Sequence, residues 1–210
     1  MNFGFIGAGN MGGALAVALS KKVSGENILL ADKMTEKAKT LAKQIGATTS
    51  SNEEIALSAK YIFLAVKPQF MADMLAEIAP ILKERTDEFI LVSIAAGLST
   101  EKIRDMAKGE YPVIRIMPNT PALLGEGMLL YTVTDGVSAD DEKAFLEDNA
   151  NAGKWDKIPE NLIAANCRLR IEMQVKTCFL QHTLGGLEKP SFLLYTACER
   201  RKRYENTNHP

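Results

Sequence analysis

A glycine-rich turn near the start of the chain limits the choice of fold more than any other stretch. Asn2-Phe3-Gly4-Phe5-Ile6 reads as a short buried strand, Gly7-Ala8-Gly9-Asn10-Met11-Gly12 fits G-x-G-x-x-G, and an alanine-rich helix follows to about Ser20. Each glycine has its own task in such a turn. Gly7 permits the tight reversal, Gly9 lets the backbone approach a pyrophosphate, and Gly12 lets helix and strand pack closely. The helix start offers unpaired N–H groups and a positive dipole end. Strand, turn and helix in this order predict a dinucleotide cradle.

The same alternation continues to about Ile158. Strands are expected at Ile28-Leu29-Leu30-Ala31, at Ala47-Thr48-Thr49, from Tyr61 to Val66, from Phe89 to Ile94 and from Val113 to Met117. Shorter ones are expected at Met128 to Tyr131 and Lys154 to Ile158. Between them, Thr35 is read as the cap of a charged helix that Gly46 closes. Asn52 precedes Glu53 and Glu54 at the start of a short helix. Gln69 to Leu82 carries Met71, Met74, Leu75, Ile78 and Leu82 at helical spacing. Ser99 or Thr100 starts another helix, and Ser138 caps an acidic one from about Ala139 to Asn151. Strands apolar on both faces belong to a mainly parallel sheet covered on both sides. The expected class is α/β, a Rossmann-like doubly wound domain over residues 1–160, followed by an irregular or partial tail over 161–210.

Composition removes several function classes. An apolar fraction of 46% with 24% charged residues suits a globular protein, and a formal net charge of −1 offers little to nucleic acid or an anionic membrane. No apolar run approaches ~20 residues, as a membrane-spanning helix would need. A strand beginning at residue 2 leaves no room for a signal peptide, so the cytoplasm is the expected location. Cys167, Cys178 and Cys198 match no zinc or C-x-x-C spacing, so free thiols and no metal are expected.

Ligands of open α/β sheets bind beyond the carboxyl ends of the strands. The glycine turn, Asp32-Lys33, Ala65-Val66-Lys67-Pro68 and Met117-Pro118-Asn119-Thr120-Pro121 are expected to converge there. Plain readings stand beside each. Lys67 suits a solvated strand end, the prolines suit strand terminators, Asn52 suits a helix cap, and Asn119 suits an Asx-turn with its own backbone. Asp32 stands where an acidic residue accepts the ribose 2′-OH of NAD, while Lys33 suits the 2′-phosphate of NADP. The two neighbours point to different cofactors. Residues 1–163 hold no histidine for a triad and no G-x-S-x-G, and hydride transfer needs neither.

Four segments in this order complete a recognisable set: Phe5 to Gly12, Phe63-Leu64-Ala65-Val66-Lys67-Pro68-Gln69, Ser93-Ile94-Ala95-Ala96-Gly97, and Arg115-Ile116-Met117-Pro118-Asn119-Thr120-Pro121-Ala122. Over residues 1 to about 163 the chain closely resembles pyrroline-5-carboxylate reductase. The resemblance implies reduction of the cyclic imine 1-pyrroline-5-carboxylate to L-proline, in proline biosynthesis, with hydride from NADPH or NADH. It implies that Ile6, Gly7, Ala8, Gly9, Asn10, Met11 and Gly12 contact the cofactor with Ala65, Val66, Lys67 and Pro68. Asn52 would reach the adenosine side, and Asn119, Thr120 and Pro121 would lie near the nicotinamide. NADP is slightly favoured by the family, which is homo-oligomeric through a helical second domain.

That second domain opens with a Ser-Gly-Ser-Gly-Pro-Ala-type segment and carries a Pro-Gly-Gly-Thr-Thr-type loop in the family. Residues 164–210 contain neither, and Gly185-Gly186 and Pro190 do not reproduce the loop. A cofactor-binding chain without turnover or oligomer is therefore the alternative. A β-hydroxyacid-type dehydrogenase is a weaker one, because Lys176 and Lys189 lack the context of its catalytic lysine. The tail also carries a basic run, Arg200-Arg201-Lys202-Arg203, followed by a polar end and read as a solvated terminus. One permissible set of codons for Ala165 to Ile171, read one base later, gives Leu-Thr-Ala-Val-Ser-Gly, close to the missing segment. The tail is thus expected to be a frameshifted remnant. Sequencing the gene across about codons 160–175 should show those bases; unrelated codons there would remove the idea.

Overall fold

The computed structural model describes residues 2–163. Eight strands form one sheet: β1 (Phe3–Ile6), β2 (Ile28–Ala31), β3 (Thr48–Thr49), β4 (Tyr61–Leu64), β5 (Ile90–Ser93), β6 (Val113–Met117), β7 (Gly127–Val133) and β8 (Gly153–Lys157). Their spatial order is β3-β2-β1-β4-β5-β6-β7-β8. From β3 to β6 every pair is parallel, whereas β7 runs antiparallel to β6 and β8 parallel to β7. The reversal follows from the connection. Only residues 118–126 separate β6 from β7, and a parallel neighbour would need a crossover of a dozen or more residues.

Helices cover both faces. On one lie α1 (Asn10–Ser20), α2 (Thr35–Ile45) and α6 (Ala139–Asp148), packed on Phe3, Phe5, Tyr61, Phe63 and Val92. On the other lie α3 (Asn52–Ser58), α4 (Met71–Glu84) and α5 (Thr100–Ala107), packed on Ile6, Ile62, Leu64 and Leu91. Alternate residues of each strand thus serve opposite cores, which is why β1 and β4 read as continuous apolar runs. Phe5 stacks on Phe63 at 4.1 Å and Phe3 on Tyr61 at 5.2 Å. Phe145 of α6 closes this row against Tyr61, Phe63 and Trp155.

The expected class holds, and several boundaries shift for local reasons. Met34, not Thr35, precedes α2, and Gly46 closes that helix at φ +70°. Ser51, not Asn52, caps α3 by accepting from the Glu54 N–H at 3.1 Å. Pro68 starts a 3₁₀ turn, Pro68–Phe70, so α4 begins only at Met71. Ser99 and Ser138 cap α5 and α6, and α6 stops at Asp148 before a further 3₁₀ turn. The tail from residue 164, with its cysteines and the Arg200-Arg201-Lys202-Arg203 run, lies outside the described residues. Among the described residues no helix is long and apolar enough to cross a membrane.

Phe145 is fully buried and touches three aromatic rings. Phe145→Ala should lower the unfolding free energy by about 3–5 kcal/mol, as expected for an unfilled aromatic cavity. Equilibrium urea unfolding checks this. A loss below about 1 kcal/mol would mean that α6 collapses into the space.

Candidate functional site

The strand order reverses direction of growth at β1, with β2 on one side and β4 on the other. Such a switch point opens a crevice at the carboxyl edge of the sheet. The glycine turn lies across it. The Gly7 N–H donates to the Ala31 carbonyl at 2.8 Å, and the Ala65 N–H donates to the Ile6 carbonyl at 2.9 Å. These two bonds carry the sheet ladder past the last strand residues and hold the turn between its neighbours.

The three glycines separate by what a side chain would meet. Gly7 has φ +114°, and a Cβ there would lie 2.6 Å from the Ala65 carbonyl oxygen. At Gly12 it would lie 2.4 Å from the Gly7 oxygen and 2.8 Å from the Ala65 Cβ. Both are packing positions. Around Gly9 no heavy atom lies within 4 Å of the added carbon, so the backbone there faces open space. Closed packing beneath and open backbone above are what a pyrophosphate cradle requires.

The helix that follows is short of acceptors. Ser51, Ser99 and Ser138 each accept a backbone N–H at the start of α3, α5 and α6, whereas Gly9 before α1 supplies no side-chain cap. The Gly13 N–H makes the first bond back, to the Gly9 carbonyl at 2.7 Å. The N–H groups of Asn10, Met11 and Gly12 precede it and have no acceptor within the helix. Helix geometry therefore aims three donors and a positive dipole end toward the space over Gly9.

Asp32 joins this turn directly. Its Oδ2 accepts from the Ala8 N–H and its Oδ1 from the Met34 N–H, both at 2.8 Å. The second bond holds Met34 in the position just before α2, which then starts at Thr35. Lys33 is exposed beside it. Ala65 and Val66 are half-buried against Gly7, while Lys67 and Pro68 are exposed at the end of this segment. The glycine turn, Asp32 and Ala65-Val66 therefore meet as expected.

The remaining candidates are placed differently. Asn52 turns its amide toward Glu77 of α4, at 3.3 and 3.4 Å from the two carboxylate oxygens. Asn119 makes no Asx-turn with its own neighbours. Its Oδ1 accepts from the Met128 N–H at 3.1 Å, which ties the end of β6 to the start of β7. Thr120 and Pro121 begin a 3₁₀ turn, Thr120–Leu124, packed on α1 and β7. They stand at the carboxyl end of β6, on the same edge as the glycine turn.

One ion pair with a buried arginine escaped the sequence reading. Arg115 is 3% exposed, and its guanidinium bonds the Glu160 carboxylate, whose Oε1 also accepts from the Thr100 N–H at 3.3 Å. This ties β6, the start of α5 and the segment after β8 together. A charge inside the apolar run Val113-Ile114-Arg115-Ile116-Met117 was the available signal. Marked electrostatic shifts fall elsewhere, on the α6 side. Burial, reinforced by Asp141, pushes the Tyr61 hydroxyl up, and the hydrogen bond from Lys60 holds the Asp141 carboxyl below its ordinary range.

Gly12→Ala should cost about 1–3 kcal/mol through backbone overpacking. Gly9→Ala should stay within about 1 kcal/mol, the ordinary range for an N-cap change. Thermal and urea unfolding of the two variants compare them. Equal losses would contradict the division between packing and open glycines.

The geometry has known counterparts. Residues 2–97 match the family described as NADP oxidoreductase coenzyme F420-dependent. A curated pyrroline-5-carboxylate reductase of Haemophilus influenzae is 40% identical over 125 residues, covering 59% of this chain and 45% of that one. Among solved structures, a pyrroline-5-carboxylate reductase from Coxiella burnetii aligns with TM-score 0.72 and 22% identity, covering 100% of this chain and 81% of that one. The Plasmodium falciparum pyrroline carboxylate reductase, crystallised with NADP bound, aligns with TM-score 0.67 and 26% identity, covering 100% of this chain and 80% of that one. The chain spans about half the length of the first two curated relatives, 45% and 51%. In fold and in sequence, its N-terminal part is therefore similar to the pyrroline-5-carboxylate reductases.

Proposed function

We propose that this chain binds a nicotinamide dinucleotide, NADPH or NADH, and serves the reduction of 1-pyrroline-5-carboxylate to L-proline. The observation that carries the reading is the open backbone at Gly9, set between the close-packed Gly7 and Gly12 and beneath the uncapped start of α1. The likeness to reductases over the same residues supports it, as does the NADP held by the Plasmodium falciparum relative. In this reading residues 1–160 are the dinucleotide-binding domain and 161–210 a separate tail.

Each residue then has a task. The N–H groups of Asn10, Met11 and Gly12 would take the pyrophosphate, with Ile6, Gly7, Ala8 and Gly9 forming the floor. Ala65, Val66, Lys67 and Pro68 would wall the crevice on the β4 side, with Lys33 and Asn52 toward the adenosine. Asn119, Thr120 and Pro121 would border the nicotinamide. The bound cofactor supplies the hydride. A protonated imine is already electrophilic at carbon, so adding hydride there gives the amine directly. The chain's contribution is to hold that carbon ~3–3.5 Å from the donor and to keep water out.

A second reading is dinucleotide binding without turnover. It rests on residues 164–210, which lack the two substrate-domain segments that the resemblance implies. Titrating NADPH and NADH by fluorescence, then following cofactor oxidation with the imine, separates the two. Binding with imine-dependent oxidation is expected from the first, and binding alone from the second. Gly9→Ala should weaken binding by tenfold or more, about 1.4 kcal/mol. Absence of binding would overturn both.

A further inference from the structure

We infer that β8 is a docking edge for a second copy of this chain, the two strands running antiparallel about a two-fold axis at Trp155. This goes beyond the dinucleotide reading and does not depend on it. β8 is the last strand in the sheet order, so one side of it pairs with β7 and the other has no strand beside it among the described residues. Such an edge is a row of backbone donors and acceptors that another strand can extend.

The ladder shows which groups face outward. The Ile158 N–H donates to the Tyr131 carbonyl at 2.9 Å. Along a parallel pair, alternate residues turn both of their backbone groups to the same side. Lys154 and Asp156 share the phase of Ile158 and face β7, whereas Trp155 and Lys157 turn their N–H and C=O groups outward. The chain on either side leaves that edge open. The 3₁₀ turn Ala150–Ala152, which precedes β8, packs on α1. After β8, Glu160 bonds Arg115 of β6 and the Thr100 N–H, so the outgoing segment turns inward toward β6.

Charge selects the occupant and the register. Lys154 and Asp156 are exposed, lie on the same face of the strand, and take part in no ion pair among the described residues. Trp155 points to the other face, against Tyr131 and Phe145, with Nε1 donating to the Asn149 carbonyl at 3.2 Å. A two-fold axis at Trp155 lets the outward groups of the two Trp155 residues bond each other. It also sets Lys154 opposite Asp156 of the second copy, and Asp156 opposite its Lys154. These are the closer, non-hydrogen-bonded pairs, where opposite charges stabilise a sheet. Moving the axis by one residue brings lysine against lysine or aspartate against aspartate, which destabilises it. Lys157 is held by Glu142 of α6 at 2.7 Å and falls opposite Gly153, which has no side chain to oppose it. The strand is 5 residues long, so this contact is small and the association reversible.

Sedimentation velocity of the full chain over a range of concentrations tests this, and a monomer–dimer equilibrium is expected. Lys154→Asp and Asp156→Lys each set like charges across the axis, and each should raise the dimer dissociation constant at least about fivefold. Combining both substitutions restores opposite charges with the net charge unchanged, and should return the constant to within about twofold of wild type. Circular dichroism checks that the variants fold. A chain that stays monomeric at every concentration would overturn the inference. So would a dimer that the single variants leave intact, or one that the combined variant does not recover, because its contact would then lie elsewhere. If one single variant does not fold, the other decides together with the combined one.

Discussion

The structure depends on how closely backbone can approach backbone where β1 ends. Gly7, Gly12 and Ala65 occupy a space in which an added methyl group would lie 2.4 to 2.8 Å from its neighbours. That contact sets the distance between α1 and β4, and so the width of the crevice beside them. It also places the α1 donors over the turn instead of against a side chain. Larger residues at Gly7 or Gly12 would push the helix off the sheet and open the cradle at its base.

Everything else about the domain holds that contact in place. Two cores of apolar side chains, one on each face, bind the helices to the strands. The aromatic row Phe3, Phe5, Tyr61, Phe63 and Phe145 crosses directly under the switch point between β1 and β4. Polar ties then fix the rims. Asp32 holds the glycine turn, Asn119 holds the start of β7, and Arg115 with Glu160 holds the segment after β8. Asp32, Asn119 and Glu160 each accept a backbone N–H from another segment.

The candidate site was legible where its residues act through backbone. Gly7, Gly9 and Gly12 announce a turn by their spacing, and the strand before and helix after them are visible as apolar runs. Side chains that act across the fold were harder to read. Asn119 has an ordinary local role available, and only the position of Met128 shows that its carbonyl is used elsewhere. Asn52 had a cap reading and an adenosine-side reading, and nothing in the sequence places Glu77 beside it. The pairing of Arg115 escaped the sequence because its partner Glu160 is distant in the chain.

By itself, the sequence determined the order of strands and helices, the class of sheet, and the turn at which a dinucleotide would sit. Period and local turn chemistry encode those features within a few neighbouring residues. Tertiary structure decided the antiparallel entry of β7, the pairing of Arg115 with Glu160, and the separate tasks of the three glycines. It also decided the state of Asp32, whose two backbone bonds join β2 to the glycine turn. Those outcomes rest on distances between segments far apart in the chain, and such distances exist only once both cores have closed.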